Sequence, residues 1–252
     1  MSTLTAAAYR LGKLPARRDP RTLRLARYLD TAALPPAPDA WDEATGVGDW
    51  PMYANDRVGD CTCAAAGHMI EAWTHAGRGH TVTIAERDVL RAFDAVKLVD
   101  PTTGAEGAVE LDVLNLWRKH GIGRHRILAY AKIDRADHEL VRQASVVFGG
   151  AYIGLQLPLT AQRQSVWQWT GRLRGPARPG SWGGHAVDVV AYDDETLTVV
   201  TWGRLQRLTW EFWNRYCDEA YAVLSRDFLS HGRAPNGLDL DALLQDLALV
   251  SS

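Results

Sequence analysis

The apolar residues of this chain follow two different periods, and the change falls near residue 150. Before it, apolar positions recur at helical spacing. Cys61–Ala76 carries small residues, then His68, Met69, Ile70 and Trp73, and is stopped by Gly77 and Gly79. Thr83-Ile-Ala-Glu86 has capping-box spacing and predicts a second helix through about Val96. Val109–His120 predicts a third, closed by Gly121 after a basic last turn, and Ala136–Val146 a fourth. Beyond the change, Ala151–Leu157, His185–Tyr192, Thr196–Trp202 and Ala220–Leu224 alternate or run continuously apolar, as strands do. Helices first and strands second predict an α+β fold of two lobes rather than alternating βαβ units.

The two ends read differently. Residues 1–28 hold Arg10, Lys13, Arg17, Arg18, Arg21, Arg24 and Arg27 against a single acid, Asp19. The simpler expectation is a solvated arm with one short helix, Arg21–Leu29; the sharper one is a segment that docks on the body or on an acidic partner. Leu34-Pro35-Pro36-Ala37-Pro38 predicts an extended stretch. Leu238–Val250 predicts a short amphipathic helix in the tail.

Composition bounds the function. The 252 residues have a net charge of −2 and are 46% hydrophobic, which excludes extensive disorder and gives no drive for binding nucleic acid by global charge. Three cysteines, Cys61, Cys63 and Cys217, do not make a disulfide scaffold. No apolar run is long enough for a membrane helix, and the N-terminus lacks the order of a signal peptide, so a cytoplasmic, reduced protein is expected.

The chemistry gathers at Asn55-Asp-Arg-Val-Gly59-Asp60-Cys61. This places a cysteine at the first turn of a helix, where unpaired N–H groups and the helix dipole favour thiolate. The base expected for it is His185, in Ser181-Trp-Gly-Gly-His-Ala-Val at the start of a strand. Cysteine first and histidine far downstream is the order of many thiol acyl-transfer enzymes. A Cys61/His68/His185 zinc site lacks ligand spacing, and neither metal nor cofactor is expected. His75, His80, His120, His125, His138 and His231 read as surface residues, Cys63 as packing, and Cys217 as structural or exposed. Asp193 is a weaker candidate for orienting His185. The tryptophans of the second half read as packing.

The sequence resembles the papain-like cysteine peptidases, in a divergent bacterial or phage-type branch. The likeness rests on motifs in order: Leu34-Pro35…Asp39-Ala-Trp41, Asn55, Gly59-Asp60-Cys61, Thr83-Ile-Ala-Glu86, Gly104-Ala-Glu-Gly107 through Gly121-Ile122, Phe148-Gly149-Gly150-Ala-Tyr152, His185-Ala-Val and Thr201-Trp202-Gly203. It implies a helical N-terminal lobe, about 55–135, and an antiparallel β-sheet or barrel lobe, about 145–225, with a cleft between them. Residues 1–33 would be a basic arm standing in for a pro-segment, 34–225 the catalytic domain, and 226–252 a tail.

The implied activity is a cysteine peptidase or amide hydrolase acting on a peptide or protein. Cys61 would attack the carbonyl, His185 move the proton, and Asn55 with the Cys61 N–H receive the oxyanion. Gly59, Gly104, Gly107, Gly184, Trp182 and Trp202 would line the substrate site. The family's orienting Asn falls at Val200 or, shifted by one, at Thr201. A hydroxyl there orients an imidazole more weakly than an amide. That departure leaves a second expectation: a catalytically degenerate module that binds peptides or serves in assembly, as in a phage particle. Acyl transfer or ligation from the same acyl-enzyme is a third.

Overall fold

The computed structural model describes residues 9–29, 36–101, 104–228 and 244–245. Its helices are α1 Cys61–Arg78, α2 Glu86–Val96, α3 Glu110–Lys119, α4 His138–Phe148 and α5 Trp210–Tyr216. The strands are β1 Trp41–Asp42, β2 Leu98–Val99, β3 Glu106–Gly107, β4 Ile127–Lys132, β5 Ala151–Leu157, β6 Val166–Trp167, β7 Gly183–Tyr192, β8 Thr196–Thr201, β9 Arg204–Thr209 and β10 Cys217–Ser225. One sheet runs β4-β10-β5-β7-β8-β9-β6, with β1 pairing β7. Every pair in it is antiparallel except β6 with β9. The expected α+β division holds. The first half adds the short strands β1, β2 and β3 and the longer β4, and the second half adds α5.

The central element is α1, buried continuously from Cys61 to Thr74. A helix buried on every side belongs inside a protein; this one lies against β7, and its polar members His68, Glu71 and Thr74 find partners in that interior. Ala64-Ala65-Ala66-Gly67 lets neighbours approach closely: a Cβ on Gly67 would stand 2.6 Å from the Tyr53 ring. Gly79, at φ 72°, closes the helix in the left-handed region. Strands β5 and β7 are buried on both faces, which explains their unbroken apolar runs. Ile153, Leu155 and Val187 join a core with α4 and α5, whereas Tyr152 and Ala186 join a second core with α1, α2 and α3.

Three local expectations are corrected. Thr83 does not cap α2, because its side chain bonds the buried Glu71 carboxyl, and Ala85 stands at the N-cap without a side-chain bond. The helix expected at Arg21–Leu29 shrinks to a 3-10 turn, Leu25–Arg27. Leu25, Tyr28 and Leu29 are drawn into the sheet-lobe core, and the Lys132 N–H donates to Leu23 O at 2.7 Å, so tertiary contacts replace helical ones. The arm is also not solvated: residues 9–14 lie across the body, as described below. Leu34-Pro35 falls outside the described residues, as does the tail helix apart from Leu244 and Gln245, which are helical.

Candidate active site

Cys61 is the first residue of α1 and is fully buried. It is covered by the chain's own arm. A short ladder holds the arm: the Arg10 N–H donates to Asn55 O at 3.0 Å, Lys13 N–H to Gly184 O at 3.1 Å and Leu14 N–H to Ala108 O at 3.0 Å. In return, Ala108 N–H donates to Gly12 O at 2.8 Å. Asn55 and Ala108 belong to the helical lobe and Gly184 to the sheet, so residues 9–14 bridge the two.

Glycine makes this approach possible. A Cβ on Gly12 would strike Gly59 O, one on Gly107 would strike Gly12 O, and one on Gly184 would strike Lys13 O. A Cβ on Gly183, at φ 150°, would lie 2.8 Å from Leu11. Gly59, Gly107 and Gly184 are thus the floor on which a polypeptide lies. Gly104 is not, since nothing stands within 4 Å of its Cβ position, and its N–H turns back to Asp100 O.

Under the arm, the Cys61 thiol is pushed up to about 12 by burial. Backbone bonds from Ala186 and Gly12 at the sulfur oppose this only partly. The expected lowering by the helix terminus is therefore reversed while residues 9–14 are seated: desolvation outweighs the dipole.

His185 lies on β7, opposite Leu155 of β5. Its Nε2 is 2.6 Å from Thr201 Oγ1, and its Nδ1 has no hydrogen-bond partner. Burial, then neighbouring His68, moves its pKa down to about 3, so the ring is neutral. Strand alternation decides between the two positions proposed for the orienting residue: Thr201 meets the imidazole, while Val200 packs with Val47, Trp50 and Ala72.

Trp202 and Gly203 form the two-residue turn between β8 and β9, at φ 46° and 70°. Positive φ at both positions matches the twist of the hairpin, but tryptophan adopts it at a cost of ~1–2 kcal/mol. The result is an indole stacked on His185 at 4.3 Å and 16°. Tyr9 of the arm stacks on the same indole at 4.4 Å, and the indole N–H donates to Arg10 O at 3.1 Å. Trp182 lies tilted beside it at 5.4 Å.

Asn55 is buried, and its Nδ2 donates to Val58 O at 3.1 Å and Asp60 Oδ1 at 3.2 Å. An amide has only two such protons, so with the arm seated Asn55 is spent on the turn before α1. Asp193 accepts from Thr196 and Arg207 and takes no part at His185. His68 Nε2 bonds Pro51 O at 2.8 Å. His125 is not a simple surface residue, because its Nδ1 lies 2.7 Å from Asp227. Cys217 is buried rather than exposed. Among the described residues no group of three or more His, Cys, Asp or Glu could hold a metal ion, and no helix is long and apolar enough to cross a membrane.

One group was missed in the sequence. Lys13 enters the body beside this site and ends among Glu110, Asp218 and Glu219. It looked like one more basic residue of an arm, and its partners lie about a hundred and two hundred positions away, so no local signal marks it.

No family model and no curated protein match the sequence. Solved structures do. Xylellain, a cysteine protease from Xylella fastidiosa, superposes with a TM-score of 0.63 at 14% identity, over 89% of this chain and 98% of that one. Procathepsin B S9 from Trypanosoma congolense gives 0.61 at 13%, over 88% and 89%. Digestive procathepsin L 3 of the Tenebrio molitor larval midgut gives 0.61 at 12%, over 87% and 77%. With its buried central helix, its helical and sheet lobes and the arm laid between them, the chain has the papain-like fold.

Proposed function

We propose that the chain is a latent thiol peptidase or amide hydrolase, closed by its own residues 9–14. Cys61 is the nucleophile, His185 the base and acid, and Thr201 the orienting residue. The observation that carries this is the Thr201 Oγ1 to His185 Nε2 contact of 2.6 Å, with Nδ1 left without a partner. If Nε2–H donates to the threonine oxygen, Nδ1 holds a lone pair and can take a thiol proton. Once the arm leaves, water reaches the start of α1, and the helix terminus again favours thiolate.

The thiolate attacks a carbonyl carbon, and its C–S bond forms as the π pair moves to oxygen. The imidazolium then protonates the leaving amine, and water hydrolyses the thioester. The Cys61 N–H receives the oxyanion, a donor worth ~3–4 kcal/mol when well placed. Asn55 joins it only by giving up Val58 O or Asp60. Residues 9–14 are the stretch whose release opens the cleft, while Leu25, Tyr28 and Leu29 stay in the sheet-lobe core.

The second reading, a degenerate module for peptide binding or assembly, is favoured by one arrangement: Asn55 turned inward, with the Cys61 sulfur bonded to Gly12 and Ala186 rather than to the His185 ring. Transfer of the acyl group to an amine follows the same first steps. The test is hydrolysis of a peptide library by the chain after limited proteolysis of the arm, with Cys61→Ala as control. Cleavage lost in Cys61→Ala supports the hydrolase; peptide binding without cleavage supports the second reading.

A further inference from the structure

Lys13 is a buried lysine in a cage of acids. Its Nζ lies 2.8 Å from Glu219 Oε1 and 2.9 Å from Asp218 Oδ2, and donates to Leu14 O at 3.3 Å. Glu110, at the start of α3, forms the third side of the cage and is fully buried. The acids come from both lobes, Asp218 and Glu219 from β10 and Glu110 from α3. The stem of the lysine passes over Gly154, where any Cβ would overlap Lys13 Cε.

Two features make this more than an internal ion pair. First, the body is fully formed around the lysine. Tyr221 OH donates to Glu219 Oε2 at 2.8 Å and Gln156 Nε2 to Asp218 Oδ2 at 2.7 Å, so the carboxylates are aimed without help from the arm. Second, acceptors outnumber what the ammonium takes up: Asp218 Oδ1 lacks a hydrogen-bond partner, and burial beside Glu219, with which it shares a side-chain bond, holds the Glu110 carboxyl well above the usual carboxylate range. The occupant enters on the segment that covers Cys61, one residue after Gly12. When the arm lifts, three acids and a glycine slot open onto the cleft with their cation gone. Burying such a group uncompensated is costly, and a basic side chain on another polypeptide meets the same demand.

We infer that Glu110, Asp218, Glu219 and Gly154 form a specificity pocket for a lysine-type side chain of the substrate, with Lys13 as its internal stand-in. This rests on the hydrolase reading for its catalytic meaning, but the pocket is tested by binding alone. In the full chain carrying Lys13→Ala, n-butylammonium should raise the melting temperature by several degrees at saturation, and butan-1-ol should not. In the full chain carrying Gly12→Val with Lys13→Ala, whose valine strikes Gly59 O and lifts the arm, the amidated peptide Ala-Lys-Ala should bind at least about tenfold more tightly than Ala-Leu-Ala or Ala-Glu-Ala by calorimetry, since one ion pair is worth that much. The preference should vanish when Glu219→Gln is added.

If the alanine variant does not fold unaided, its refolding with n-butylammonium but not with butan-1-ol is the expected result, and equal refolding with both overturns the proposal. Equal response to the amine and the alcohol overturns the proposal. So does an Ala-Lys-Ala affinity no higher than that of Ala-Leu-Ala, which would leave Lys13 as an internal ion pair only. A positive binding result with an unreactive Cys61 would retain the pocket and remove the hydrolase.

Discussion

At the scale of single residues, the site turns on what a hydroxyl can do. Thr201 Oγ1 both donates and accepts, so it holds the His185 ring in place without fixing its tautomer. Thr201→Val should lower peptide hydrolysis by the opened chain by about 10²-fold, in the range of general acid–base effects. Thr201→Asn, whose Oδ1 only accepts, should retain activity. A steady-state comparison of the two variants checks both.

The thiol adds a pH test. With the arm seated, burial pushes the Cys61 thiol up to about 12, so its alkylation should be slow and should climb about tenfold per pH unit from pH 7 to 9 without levelling off. The buried histidines act at the other end. His185 is lowered to about 3 and His68 to about 4, both chiefly by burial. The unfolded chain therefore binds these protons first, and the stability they contribute is lost as pH falls from about 6.5 toward 4 and 3. His68→Gln should lose less stability than wild type over that interval, measured by urea midpoints.

The surroundings of the candidate residues were partly legible. Cys61 and His185 stood out because a cysteine after Asn-x₃-Gly-Asp and a histidine after Gly-Gly are local signals. Thr201 was legible only to within one position, and strand alternation in the structure separates it from Val200. The state of Cys61 was not legible, because burial by a segment about fifty residues upstream leaves no mark near the cysteine.

At the scale of elements, the long periodic segments were read well: α1, α3, α4, β5 and β8 appear within a few residues of expectation. Short or shared elements were not. α5, seven residues long, interrupts a strand-rich half. Strand β4 is paired by β10 from the far end of the chain. The capping box at Thr83 failed because a buried carboxyl, Glu71, competes for its hydroxyl. That leaves Ala85, exposed and extended at φ −70°, as an uncapped start to α2. Ala85→Asp should stabilise the chain by ~0.5–1 kcal/mol, read from chemical denaturation, since a carboxylate there bonds a free N–H and faces the dipole. On the cleft floor, Gly184→Ala should act in the opposite direction. Its Cβ meets Lys13 O, and overpacking of this kind costs ~1–3 kcal/mol unless the arm lifts.

At the scale of the whole molecule, the two-lobe architecture followed from the change of period and from the order of motifs. The closure did not. Gly12 meeting Gly59, Lys13 meeting Glu219 and Tyr9 meeting Trp202 are contacts between distant residues, each ordinary in its own neighbourhood. The basic arm had offered docking as one expectation, and the structure supplies its register: Arg10 at Asn55, Gly12 over Cys61, Lys13 in the acid cage, Arg17 on Asp112. Cys61 stands at a helix terminus and His185 on the facing sheet, and a strap of their own chain is held over the first and stacked, through Tyr9 and Trp202, beside the second.

Gly12→Val tests this most directly, because its side chain strikes Gly59 O and alters no residue of the body. The measurement is the iodoacetamide alkylation rate of each cysteine at pH 7.5, assigned by peptide mass spectrometry, in the full chain and in this variant. The account predicts that Cys61 is unreactive in the full chain and becomes the fastest of the three in the variant, by about tenfold or more over Cys217, as a thiolate-favouring site should. Cys61 reacting no faster than Cys217 with the arm displaced would contradict it.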